Sequence, residues 1–152
     1  MHSEIGTHIP RTSKMKALIA DDEPIIADTL AIILNQAGFE ARAVYSGEEA
    51  LIMAKSFQPD LLISDVVMTG ITGIAAAIKI RADLPSCKIL LFYGQAVTSD
   101  LLEEARIQNH EFEVLAKPIH PTDLLIKLGR PEMSAGAIPE KPLLITDKLS
   151  RR

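Results

Sequence analysis

Five short apolar runs recur along the chain, at 15–20, 40–44, 61–64, 88–92 and 112–116. Each has the length of a β-strand. The stretches between them repeat their apolar residues at a different period. Ile25, Ile26, Leu30, Ile33, Leu34 and Ala37 recur every three or four residues, which places them on one face of a helix. Pro24 suits the first turn of that helix and Gly38 its stop. Ser46 followed by Glu49 is a capping-box pattern, and the helix it opens runs to Phe57, where Gln58-Pro59 breaks it. Further helices are predicted over 73–82, over 98–109 with Thr98 or Ser99 as cap, and over 121–128, closed by Gly129.

Strand followed by helix, five times over with short connections, demands a parallel sheet with right-handed crossovers. The predicted fold class is therefore α/β, a doubly wound (βα)5 sheet. Runs such as ALIA, LLIS and ILLF are apolar on both alternate positions, as strands covered on both faces must be. EARAV at 40–44 alternates weakly and reads as an edge strand.

Composition narrows the class. The 152 residues are 47% hydrophobic and 24% charged, which excludes a disordered chain. No apolar run approaches a membrane span, and MHSEIGTHIPRTSK at the amino end lacks the apolar centre of a secretory signal. The one cysteine, Cys87, forms no internal disulfide and fits a reducing, cytoplasmic setting as a small packed residue. The net charge of −4 is uneven: residues 15–129 hold 9 Lys/Arg against 16 Asp/Glu, while both ends are slightly basic. An acidic body with no Trp and no basic stripe argues against nucleic acid as a partner, and the apolar pattern argues against a membrane. Residues 1–14 and 130–152 read as flexible tails around a domain at 15–129. The second tail is too short for an output domain.

Charge sits where three of the strands end. The first runs into Asp21-Asp22-Glu23, the third into Asp65, and the fifth into Lys117-Pro118. In open α/β sheets ligands bind outside the carboxyl ends of the strands. Three carboxylates gathered in water-accessible loops repel one another and need a cation. Oxygen-only ligands, with no His or Cys, point to a hard ion, Mg²⁺ or Mn²⁺. His2, His8, His110 and His120 have no metal-binding spacing, and His120 reads as a surface residue at a helix start. A lysine opposite supplies a point charge for a phosphoryl oxygen. Together these describe phosphoryl transfer onto Asp65, with Asp21 and Asp22 holding the metal and Lys117 balancing charge.

ALIADDEP at 17–24, DLLISDVVMTGITG at 60–73, ILLFYGQA at 89–96 and VLAKP at 114–118 resemble, in order and spacing, the receiver domain of two-component response regulators. The resemblance covers residues 15 to about 129. It implies a flavodoxin-like sheet with strand order 2-1-3-4-5 and a phosphorelay in which Asp65 accepts a phosphoryl group. The donor would be a phosphohistidine on a sensor histidine kinase or histidine phosphotransfer protein. It further implies Mg²⁺ held by Asp22, Asp65 and the backbone carbonyl of Val67, with Asp21 acting through water. Val67 and Gln95 would flank the phosphoryl group, and Lys117-Pro118 would be cis.

The sequence departs from the family pattern where the signal is read out. Receivers usually carry Ser or Thr at the position of Tyr93, and often an aromatic residue at that of Val114. A tyrosine hydroxyl lies too far from its Cα to replace a serine hydroxyl. Thr69 stands where proline is common and Ile71 where methionine is frequent. Val67 is apolar and poorly suited to orient an attacking water, so slow self-dephosphorylation is expected. Two outcomes follow for Tyr93. Either Asp65 is phosphorylated and read differently, or the chain is a phosphorylation-independent interaction module. The third class, an enzyme such as a haloacid-dehalogenase-like phosphatase, requires a second Asp where Val67 stands. The expected function is thus a single-domain signalling receiver, not an enzyme, that catalyses only its own phosphorylation and dephosphorylation. Apolar Leu101, Leu102, Leu124, Leu125 and Leu128 are expected mostly in the core.

Overall fold

Ala17, Leu18, Ile19 and Ala20 leave no polar side chain on either face of the first strand, so it must lie between two layers. The computed structural model describes residues 13–94, 103 and 112–129, and it has this arrangement. The strands are β1 (Lys16–Ala20), β2 (Glu40–Val44), β3 (Leu61–Asp65), β4 (Lys88–Tyr93) and β5 (Glu113–Ala116). The helices among the described residues are α1 (Pro24–Gln36), α2 (Gly47–Phe57), α3 (Gly73–Asp83) and α4 (Pro121–Leu128). All strand pairs are parallel, in the order β2-β1-β3-β4-β5. The weakly alternating β2 is an edge strand, as its pattern predicts. The helix expected over 98–109 lies outside the described residues apart from Glu103, as do Gln95, Leu101, Leu102 and nearly all of both tails.

Strand alternation splits the core into two layers. Ala17, Ile19, Leu61, Ile63, Leu90 and Phe92 pack with α1 and with Leu124 of α4. Leu18, Ala20, Leu62, Ile89 and Leu91 pack with α2 and α3. Each fully buried Leu or Ile contributes roughly 1.5–3 kcal/mol. Leu124 is fully buried, whereas Leu125 and Leu128 are half-buried. The apolar stripe of α1 differs from the expected one. Ala27, Leu30, Ala31 and Leu34 are buried, while Ile25 is 79% exposed. The two alanines are the contact surface because small side chains let the helix axis approach the sheet. That seating turns Ile25 outward.

Local signals behave as their chemistry requires. The Ser46 hydroxyl oxygen accepts from the Glu49 N–H at 3.0 Å. The returning Glu49 carboxylate accepts from the Tyr45 N–H at 2.8 Å, one residue earlier than a standard capping box. Lys117-Pro118 is cis, as the resemblance implies. His120 is the exposed N-cap of α4 and makes no side-chain capping bond.

One contact fixes the end of β3. The Gly73 N–H donates to the Val66 carbonyl at 2.8 Å, which seats the first turn of α3 on the main chain just after Asp65. A Cβ on Gly73 would collide with the Asp65 carbonyl oxygen and lie 2.9 Å from its carbonyl carbon. It would also meet the buried Ser64 hydroxyl oxygen at 2.8 Å. Backbone cannot swing aside as a flexible side chain can, so Gly73→Ala should force α3 off β3. Overpacking of this kind costs about 1–3 kcal/mol. The urea midpoint should therefore fall at unchanged m-value, and a midpoint equal to wild type would show that the seat is not tight.

Candidate acidic site at the carboxyl edge of the sheet

β1 and β3 are neighbours, but the chain leaves them toward opposite faces, into α1 and α3. This is the switch point of the sheet, where a crevice opens beyond the strand ends. Asp21 follows β1 directly, Asp65 is the last residue of β3, and Lys117 follows β5. Strand alternation puts Asp65 on the same side as Leu61 and Ile63, and Lys117 on the side of Leu115. The four charged residues expected together from the sequence therefore meet.

The Lys117 ammonium lies 3.3 Å from Asp21 Oδ2 and 3.2 Å from Asp65 Oδ2. The other oxygen of Asp21 accepts from the Glu23 N–H at 2.9 Å. Asp22 Oδ2 accepts twice from Thr69, from its N–H and from its hydroxyl, each at 3.1 Å. Among the described residues, no donor reaches Asp22 Oδ1 or Asp65 Oδ1. Asp21, Asp22 and Asp65 each offer an oxygen within 4.8 Å of the others. The carboxylates are less open to water than expected: Asp21 is 1% exposed and Asp65 8%, with Asp22 half-buried.

Burial and charge pull in different directions here. Burial pushes the Asp65 carboxyl up, Lys117 pulls it down, and the charges of Asp21 and Asp22 push it up again. Its pKa ends above the ordinary carboxylate range. Burial pulls Lys117 down, but its hydrogen bond and attraction to Asp65, then Asp21, outweigh this and hold it above its usual range. The two shifts agree physically, because one ammonium cannot neutralise three carboxylates. Like charges at this spacing repel by roughly 3 kcal/mol per pair at an effective dielectric of about 20. An all-oxygen set with excess negative charge fits a hard divalent cation.

The remaining predicted positions are placed as follows. Val67 lies in the loop after β3 and is 41% exposed. Val114 is 36% exposed on β5. Tyr93 ends β4, pairs in register with Ala116, and packs its ring against the α2/α3 layer of the core. It therefore does not fill the crevice between Asp65 and Lys117. Cys87 is buried, and burial pushes its thiol up to about 11, which leaves it protonated and inert at neutral pH. Thr69 was visible in the sequence only as a departure from proline. Its bond to Asp22 spans 47 residues and had no local signal.

The fold and this residue set have counterparts. Residues 17–129 match the family described as "Response regulator receiver domain". The DNA-binding response regulator MtrA of Mycolicibacterium smegmatis is 26% identical over 117 residues, covering 77% of this chain and 50% of MtrA. The chain thus spans about half the length of the curated relatives it matches. The chemotaxis protein CheY4 of Vibrio cholerae superposes with a TM-score of 0.69 at 28% identity, covering 78% of this chain and 99% of that one. The REC domain of AraT, a response regulator from Geobacillus stearothermophilus, gives a TM-score of 0.65 at 31% identity, covering 75% and 89%. Receiver domains of two-component systems typically take part in phosphorelay and bind Mg²⁺ at an acidic pocket. No helix among the described residues is long and apolar enough to cross a membrane. With its five-stranded order, its acidic crevice and a match over residues 17–129, the chain belongs to the response regulator receiver domain family.

Proposed function

We propose that Asp65 accepts a phosphoryl group from a phosphohistidine on a sensor histidine kinase or histidine phosphotransfer protein, with Mg²⁺ in the acidic crevice. The observation that carries this reading is the 3.2 Å pair of buried Asp65 and half-buried Lys117 beside two further carboxylates. In the transfer, the P–N bond to the donor imidazole breaks and an O–P bond to Asp65 forms. The freed imidazole nitrogen takes a proton. Asp22 and Asp65 would hold the ion through the oxygens that no described donor engages, helped by the Val67 carbonyl. Asp21 has both oxygens in use and would act through water. A bound Mg²⁺ supplies charge stabilisation for the transferring phosphoryl oxygens. Lys117 already bridges Asp21 and Asp65, so its ammonium is positioned to meet a phosphoryl oxygen on Asp65.

An apolar groove of about 600 Å³ runs beside the crevice, lined in part by Ile25, Ile26, Leu30, Pro118 and Ile119, with Lys117 at its edge. It offers a donor protein apolar contact next to Asp65. The chemistry begins and ends on this chain's own carboxylate, so the domain acts as a signalling receiver and not as an enzyme on other substrates. A phosphorylation-independent module is the second reading, favoured by Tyr93 and Val114. The packed position of the Tyr93 ring leaves the acceptor pair intact, which supports the first.

With acetyl phosphate and Mg²⁺, intact-mass spectrometry should record one added phosphoryl group, lost in Asp65→Asn. No adduct under any divalent ion would favour the second reading. The adduct should persist for hours in purified protein, because Val67 offers no polar group to orient water. Decay within seconds would contradict that role.

The raised pKa of Asp65 gives a third expectation. In the unfolded chain Asp65 titrates near 4. As pH rises from there through the higher folded value, ionisation costs the fold free energy, and metal-free stability falls. Asp65→Asn removes that cost while Lys117 keeps Asp21. Without divalent ions the variant should melt above wild type at pH 7, and the gap should close as the pH falls below about 4. Equal melting temperatures at pH 7 would sink this account.

A further inference from the structure

From the two bonds that Thr69 makes to Asp22, we infer that Thr69 is a positioning residue for the divalent-ion site, setting which oxygen of Asp22 faces the ion. This rests on the reading of the crevice as a Mg²⁺ site. An aspartate presents two equivalent oxygens and turns about χ2 with little preference. Asp22 is half-buried, and nothing else among the described residues hydrogen-bonds its carboxylate. The Thr69 N–H and hydroxyl both donate to Oδ2 at 3.1 Å. That pins Oδ2 on the loop after β3 and leaves Oδ1 without a described donor, in a residue that offers one oxygen to the cluster with Asp21 and Asp65.

The pin has a firm base, because the Thr69 loop is itself clasped from the other side. The Glu48 carboxylate, at the start of α2, accepts from the Ile71 N–H at 3.2 Å. Gly70, at φ +89°, brings the main chain so close to Glu48 that a Cβ would lie 2.6 Å from Oε2. Gly47, the first residue of α2, packs in the same way against Ile71. Thr69 is thus held from α2 and holds Asp22 in turn. Mg²⁺ demands near-ideal octahedral geometry, so a carboxylate already turned the right way raises affinity. A residue without an N–H and hydroxyl at this position would leave Asp22 to orient itself.

The test is a Mg²⁺ titration of the full chain followed by NMR chemical shifts of the Asp22 and Asp65 amides, with metal-free melting temperature as a control. Thr69→Val keeps the branched shape and the N–H but removes the hydroxyl. Loss of such a supporting partner typically weakens metal binding about 10- to 100-fold. With the N–H retained, Thr69→Val should lie at the low end, about tenfold. Thr69→Ser should bind as wild type does, and all three proteins should melt alike without metal. Wild-type affinity in Thr69→Val, or equal weakening in Thr69→Ser, would overturn the role of Thr69 while leaving the metal site standing. A wild-type chain that shows no Mg²⁺-dependent shifts would overturn the metal site and this inference together.

Discussion

Three carboxylates against one ammonium is the constraint on which this structure turns. Asp21, Asp22 and Asp65 each bring an oxygen within 4.8 Å of the others, and among the described residues only Lys117 opposes them. A fold tolerates such an imbalance only when its walls are rigid enough to hold like charges together. The walls here are the ends of two buried parallel strands, with hydrophobic layers on both faces. The imbalance in turn gives the crevice its chemistry. Burial first, and then the charges of Asp21 and Asp22, raise the Asp65 pKa, while the carboxylates hold Lys117 charged and leave the site short of positive charge that a divalent ion can supply.

Most of this was legible because strands and their ends are local features. An apolar run names a strand, and the residue just after it is by geometry at the carboxyl edge, so Asp21, Asp65 and Lys117 could be placed without coordinates. Their convergence needed the strand order, which the family resemblance supplied and the β1–β3 pairing bears out. What stayed hidden involved partners far apart in sequence. Ile25 fits the helical period as well as its neighbours do, and only the close seating of Ala27 and Ala31 shows that it faces outward. The pair Thr69–Asp22 is equally invisible, because hydrogen bonds between loops leave no period. The carboxylates were expected in open loops, yet the strand ends that carry two of them are sunk between the helices.

The two departures at Tyr93 and Val114 fall on the side of the sheet away from the Asp65–Lys117 pair. Tyr93 packs on the α2/α3 layer, in register with Ala116. The acidic crevice and the two departures therefore lie on different faces of neighbouring strands.

The seat of Gly73 carries a mechanical consequence. Most contacts between a helix and a sheet pass through side chains, whose rotamers absorb small displacements. Here the first residue of α3 touches the carbonyl group of Asp65 directly, main chain against main chain. Such a joint has almost no compliance. A shift of a few tenths of an ångström in the Asp65 backbone would press on the start of α3 with no side chain between them to absorb it.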